Sequence, residues 1–407
     1  MKKIYILSTL SLLLCFSVSC KKDKSAKGGK DLQLTNEEQQ KVATDNNFAF
    51  NLLKAVTVNE NADKNIMISP FSVGVALSMV SNGSQGATLE AIHKTLRSEG
   101  LSEDIINDYY SKIIKDLPLL DPTTDINIAN SIWYRQGFTP TPTFLKTNED
   151  KFNARSEALN FQDPAAKNII NNWVNTQTKG KIPTIIEEIP QGMVMYLINA
   201  VYFKGTWKYT FDKSKTTTGT FNLGNGQTVP TPFMSEKMKL NMAITPSATA
   251  YELLYGNGKY SMVIVVPAST TTLNDYIASM TDEKWLALSN SLREAEIIIR
   301  LPKFKFSYEK ELKSTLTNLG MGIAFGDQAD FKRINPQGNL LISEVKHKTF
   351  IDVNEEGTEA AAVTSVGVGP TSGPMQYLVN RPFLFAIREV NSGLILFNGL
   401  IRNPTAN

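Results

Sequence analysis

The sequence predicts an α+β fold, and three observations carry that prediction. Apolar residues recur at helical spacing near the N-terminus and again in the second half of the chain. Strand-like runs, alternating or continuously apolar, lie between and after them. A segment of more than 20 mostly small residues joins two of the strongest strand signals. The 407 residues allow one large domain or two to three ordinary ones, and 42% apolar with 20% charged residues is a soluble globular mixture able to bury a large core.

The first nineteen residues hold Lys2 and Lys3, an apolar run from Ile4 to Val18, and the small Ser19 before Cys20. That is the layout of a secretion signal, too short for a membrane span. Cys15 and Cys20 both lie here, so neither a disulfide nor a thiolate metal site is expected in the folded part. Lys21–Lys30, with five Lys and one Asp, reads as a flexible tether. Setting aside the +4 of this tether and the +2 of the signal turns the formal +3 into −3 for the remainder, so nucleic-acid binding gains no support.

From about Asn36 a helix is expected, with Phe48, Leu52, Ala55 and Val56 on one face. Ser69 suits an N-cap and Pro70 the first helical position, and Val73, Ala76, Leu77 and Val80 continue as a buried stripe. Gly83–Gly86 lacks the spacing of a nucleophile elbow. Ile126–Tyr134 alternates like a strand. So does Asn199–Phe211, through Val201, Phe203 and Trp207, with Gly205 leaving room for another backbone. Met262–Pro267 is continuously apolar, a strand buried on both faces. Leu273–Leu292 reads helical, and Ile297–Phe306 reads as a strand with Phe304 and Phe306 on one face. Leu312–Gly320 reads as a helix closing at glycine. Phe383–Val390 and Leu394–Phe397 form a hairpin around Asn391–Gly393. No internal repeat is visible.

The unusual segment follows the strand signal Thr349–Val353. Glu355, Glu356 and Gly357 break the alternation, small residues run to Ser365, and a Gly/Pro/Ser stretch reaches Met375. Read as a strand, one face carries Thr358, Ala360, Ala362, Thr364, Val366 and Val368, none charged; the other begins with Glu359. The first face can lie against a core without desolvating a charge. Composition equally suits a flexible linker, and the residues by themselves leave both readings open.

Glu355–Val363 (EEGTEAAAV) resembles the hinge of the reactive-centre loop in inhibitory serpins, and Arg381–Phe385 resembles the strand that follows it. Ser69–Val73, Ser81–Glu90, Asn172–Ile182 and Asn199–Phe211 resemble further serpin blocks, so the resemblance covers roughly Asn46 to Pro404. It implies a serpin fold with three β-sheets, about eight to nine helices and an exposed reactive-centre loop at about 355–380. The expected organisation is a signal peptide over 1–19, a lipidated N-terminus and tether over 20–34, and one domain over 35–407. Val18-Ser19-Cys20 resembles a bacterial lipobox. This implies lipidation at Cys20 and an exported lipoprotein, anchored at the cell surface or in the periplasm, or extracellular.

The implied function is suicide-substrate inhibition of serine endopeptidases, with no enzyme activity and no cofactor. The implied hinge is Glu355, Glu356, Gly357, Thr358, Glu359, Ala360, Ala361 and Ala362. A polar shutter is implied at Ser69, Ser72, Asn199 and His347, and a breach at Trp207, Lys303 and Glu355. Counting sixteen residues on from Glu355, the family's spacing, puts the reactive bond between Thr371 and Ser372, with Val368 and Met375 as alternatives. No Lys or Arg lies between Thr358 and Asn380, which disfavours a trypsin-like target. Thr371 after Pro370 suits elastase-like or subtilisin-like proteases and leaves a cysteine protease open. The expected partners are the protease, in a covalent complex, and a membrane through the lipid; the protein itself is expected to be a monomer. His93, beside Lys94 and Arg97, is expected in solvent, and no spacing suits a metal. A non-inhibitory serpin acting as a binding or chaperone module is the alternative.

Overall fold

The computed structural model describes residues 29–58, 60–359 and 375–406. Among them are nine α-helices, numbered in chain order: α1 (Asn36–Val58), α2 (Pro70–Ser81), α3 (Gly86–Thr95), α4 (Glu103–Asp116), α5 (Pro142–Phe152), α6 (Pro164–Gln177), α7 (Leu273–Ser279), α8 (Asp282–Ser291) and α9 (Lys313–Leu316). One sheet has six strands in the order β10 (Phe304–Glu311), β11 (Lys346–Asn354), β12 (Gly357–Thr358), β4 (Met195–Thr206), β2 (Thr124–Arg135) and β3 (Ala154–Leu159). The other runs β1 (Ile66–Ile68), β15 (Ile395–Ile401), β14 (Phe383–Glu389), β8 (Tyr260–Pro267), β7 (Ala248–Tyr255), β6 (Thr228–Ile244), β9 (Arg293–Pro302) and β13 (Gln376–Leu378), with β5 (Thr217–Asn222) beside β6.

Hydrogen bonds merge two of the three expected sheets because β6 is 17 residues long. It pairs with β5 at one end, with β9 along its middle, and with β7 from Asn241 to Ile244. β8 is buried at every position, as its unbroken apolar run requires. The β14–β15 hairpin turns at Gly393, where φ is 76°.

Three expectations shift. The Ile297–Phe306 run is two strands, because β9 ends at Pro302, which has no N–H to continue a ladder, and β10 starts in the other sheet. Phe304 and Phe306 do share its buried face. Leu273–Leu292 is two helices, because Met280 is extended and Thr281 caps α8 by accepting from the Lys284 N–H. His93 is half-buried rather than solvated, its Nε2 has no hydrogen-bond partner, and burial pushes its pKa below the usual histidine value.

α2 lies beneath the six-stranded sheet and is held there by α1 and α4. Ser69 caps it as expected, accepting from the Ser72 N–H. Between α1 and α4, Lys41 is wholly buried, ion-paired with Asp45, bonded to the Tyr110 hydroxyl and lying 4.9 Å from the Tyr110 ring. An uncompensated buried ammonium is costly. Asp45→Ala is therefore expected to lower unfolding stability by about 3–5 kcal/mol, measured by denaturant melting. Tyr109→Phe, which removes a buried hydroxyl with no hydrogen-bond partner, is expected to cost far less.

Candidate functional site: the hinge and the cleft below it

β4 and β11 run parallel and would be neighbours but for β12, which is antiparallel to both and two residues long. Gly357 pairs with Thr206 and Asn354, and Thr358 with Gly205 and Val353. The Glu359 N–H adds one more bond, to the Asp352 carbonyl. Below that point the described residues show no ladder between β4 and β11. A cleft of about 180 Å³ lies there, floored by the Val73, Ala76, Leu77 and Val80 stripe of α2 and lined by Asn199 and His347.

The top of this slot is built to receive a small backbone. A Cβ on Gly357 would lie 2.0 Å from the Gly205 carbonyl oxygen, so only glycine fits. Gly205 has no Cβ for a related reason: one would meet the Tyr255 ring at 2.6 Å, so the close neighbour is an aromatic face rather than the backbone expected. The Tyr255 ring stacks on Trp207 at 4.5 Å, and its hydroxyl lies 2.7 Å from Thr358 Oγ1. Thr358 is buried and hydrogen-bonded, so the hinge is seated two residues deep.

Around this seat lie Trp207, Lys303 and Glu355. The Trp207 indole donates to the Asn354 carbonyl at 2.9 Å, and its backbone N–H to the Glu356 carbonyl at 2.8 Å. Lys303 Nζ donates to both Glu355 oxygens, at 3.0 and 2.8 Å, and Thr216 adds a third bond at 2.8 Å. Burial works to raise the Glu355 pKa, but Lys303 and Thr216 outweigh it and hold the carboxyl below its usual value. Lys213 pairs with Glu356 at 2.5 Å.

The shutter residues line one cleft but do not form one ring. The Ser69 N–H donates to His347 Nε2 at 3.0 Å, and Ser69 Oγ donates to the Leu396 carbonyl. Ser72 takes part through its backbone N–H. Asn199 bonds Asn130 at 2.6 Å instead of His347, and its Oδ1 is buried without a hydrogen-bond partner. Asn130, Tyr255 and Thr216 belong to the site and were not singled out from sequence; only Asn130 left a trace there, as a polar break in the Ile126–Tyr134 alternation. Ala360, Ala361, Ala362, Val368, Thr371, Ser372 and Cys20 lie outside the described residues. Met375 is described: it is exposed, and its carbonyl accepts from the Ile298 N–H.

His347 gives a pH test. Burial lowers its pKa to about 4, and the Ser69 N–H requires an unprotonated Nε2. The unfolded chain takes up a proton near pH 6.5 and the folded chain only near pH 4. Stability from this group is therefore complete above pH 6.5 and lost as pH falls to 4, on the order of 3 kcal/mol. His347→Gln, which keeps an acceptor for Ser69, is expected to flatten the stability–pH curve in that window relative to the parent.

Comparison with known proteins agrees with this architecture. The family model for Serpin (serine protease inhibitor) matches residues 43–404. Iripin-5 of Ixodes ricinus is 33% identical over 383 residues, 90% of this chain and 95% of that protein. A leukocyte elastase inhibitor of Xenopus laevis is 32% identical over 88% of this chain and 97% of its own length. The solved structure of the thermophilic serpin tengpin in its native state superposes with a TM-score of 0.83 at 33% identity, covering 92% of this chain and 96% of that one. With the matched region spanning nearly the whole described fold, the chain belongs to the serpin family.

Proposed function

We propose that this chain is a suicide-substrate inhibitor of serine endopeptidases, which traps the acyl-enzyme by drawing its cut loop into the six-stranded sheet. The observation that carries the reading is the hinge seated between β4 and β11 above two facing strand edges with no described strand between them. Several relatives are named protease inhibitors, which supports inhibition in general.

The register at the hinge defines what insertion would pair. Each further loop residue meets one residue lower on β4 and on β11. Position 364 would face Asn199 and His347, and position 368 would face Met195, where β4 begins. About ten ladder bonds at ~0.5–1.5 kcal/mol each offer on the order of 10 kcal/mol. Insertion of the loop as an added strand, with release of stored strain, is a general property of inhibitory serpins and is carried over to this chain as such. Twelve residues at ~3.3 Å each would carry a bound protease ~40 Å. The protease supplies nucleophile and base; the inhibitor supplies motion.

The reactive bond we assign is Thr371–Ser372, for an elastase-like or subtilisin-like enzyme. Cutting at Val368 would take ~10 Å off the protease's path. Cutting at Met375 would require stripping its carbonyl from Ile298. We place the protein as a monomer tethered to a membrane through lipid on Cys20.

Mixing the protein with elastase is expected to give a complex that survives SDS. Cleavage with no complex would favour the non-inhibitory reading. Thr358→Arg, whose guanidinium has no partner in the buried site against Tyr255, is expected to unseat β12 while the rest of the fold stays intact and to turn inhibitor into substrate; undiminished inhibition would count against the mechanism. Protein nicked in the loop is expected to melt well above the uncut form.

A further inference from the structure

Glu359 departs from every other hinge residue described. It is not glycine, yet its φ is 64°, the left-handed region that L side chains avoid. Its N–H makes the last bond to β11 among the described residues of the hinge. The side chain goes into the protein: it is 4% exposed, and its Oε2 lies 3.4 Å from Lys181 Nζ. Lys181 comes from the segment just after α6, which lies across the outer face of the sheet. Its ammonium is 4.8 Å from the Phe350 ring, and Phe350 and Tyr202 line the same small pocket as Lys181, Thr358 and Glu359.

The register gives this arrangement a meaning. Were the β12 register to continue, the next outward-facing position, two residues on, would fall between Tyr202 on β4 and Phe350 on β11. Lys181 stands over that place. For the loop to advance, Glu359 must leave its left-handed conformation for an extended one, and its carboxylate must release Lys181. Relief of backbone strain favours the step, and the ion pair opposes it.

We infer that the Glu359–Lys181 ion pair is a latch: it holds the hinge at its two-residue seat and sets how fast the rest of the loop follows. This rests on the insertion reading above. Burial raises the Glu359 pKa against the pull of Lys181 and of a hydrogen bond from the Tyr202 hydroxyl, so Lys181 is the cation of the pair and Tyr202 a neutral second partner. Asp352 adds repulsion from β11 but is itself paired with Lys305 at 3.0 Å. Lys179, the other cation beside Tyr202, is engaged by Asp125, which leaves Lys181 to hold Glu359.

The test is a double-mutant cycle on the full chain, reading the rate at which uncut protein converts on warming to a non-inhibitory, more heat-stable form. Lys181→Met and Glu359→Gln are each expected to speed conversion about three- to tenfold. The double variant should be no faster than the faster single, and Lys181→Arg should stay near the parent. Singles that match or lag the parent, or effects that multiply in the double variant, overturn the latch. The melting temperature of uncut protein should change little, separating a latch from a general structural role. If nicked parent gains no heat stability, the insertion reading fails and takes the latch with it. If it gains stability while the cycle shows no coupling, the latch alone falls.

Discussion

Two strand edges that face each other without pairing govern the rest of this molecule. Buried backbone donors and acceptors are nearly always paired, yet below Gly205 and Val353 the described residues give β4 and β11 no mutual ladder. A two-residue strand is all that bridges them among those residues. Such a slot is satisfied by any extended segment that brings backbone groups on both sides and an uncharged face toward α2. The sequence that follows β12 has such an uncharged alternate set in Ala360, Ala362, Thr364, Val366 and Val368. The α2 stripe, the polar cluster at Ser69 and His347, and the stacked Trp207–Tyr255 pair all border this slot.

Much of that was legible in the sequence, and the failures have physical causes. Ser69 and Pro70 announced the start of α2 because capping is a local interaction. The Met262–Pro267 run announced a doubly buried strand because burial on both faces removes alternation. The run from Thr358 was readable as strand-capable, but the seat of the hinge was not, since residues from β4, β7 and β11 complete it. Tyr255 is an ordinary strand aromatic until Gly205 and Thr358 are brought against it. The Pro302 break is where the buried positions change phase, from 297, 299 and 301 in one sheet to 304 and 306 in the other, and reading the run as one strand passed over that slip. Asn199 was expected beside His347, whereas competition from Asn130 on the adjacent β2 decides its partner.

Charge is distributed by depth. The three hinge acids are each met by a lysine from a different part of the chain: Glu355 by Lys303, Glu356 by Lys213 and Glu359 by Lys181. All three lysines are at least a third exposed, so the rim keeps its cations partly hydrated while the carboxylates are covered. Deeper in the slot the logic reverses. His347 stays neutral, and Ser69 and Asn130 bond to backbone carbonyls. On the proposed mechanism an incoming segment would meet charge at the rim, where water offsets part of the cost of rearrangement, and these neutral polar groups inside, where an unpaired charge would stop it.

This gradient explains why the hinge sequence is so tightly constrained where it is visible. Gly357 is dictated by the Gly205 carbonyl, because any Cβ there would unseat β12. Thr358 is the first residue to face inward, and its hydroxyl meets that of Tyr255, so it enters polar space without leaving a buried donor unpaired. Glu359 lies on the face of the sheet away from α2, where its covered carboxylate is met by Lys181. If the loop inserts as proposed, the side chains at Gly357, Thr358 and Glu359 already follow the alternation of the strand it would form, and the left-handed backbone at Glu359 is the point that would have to straighten first.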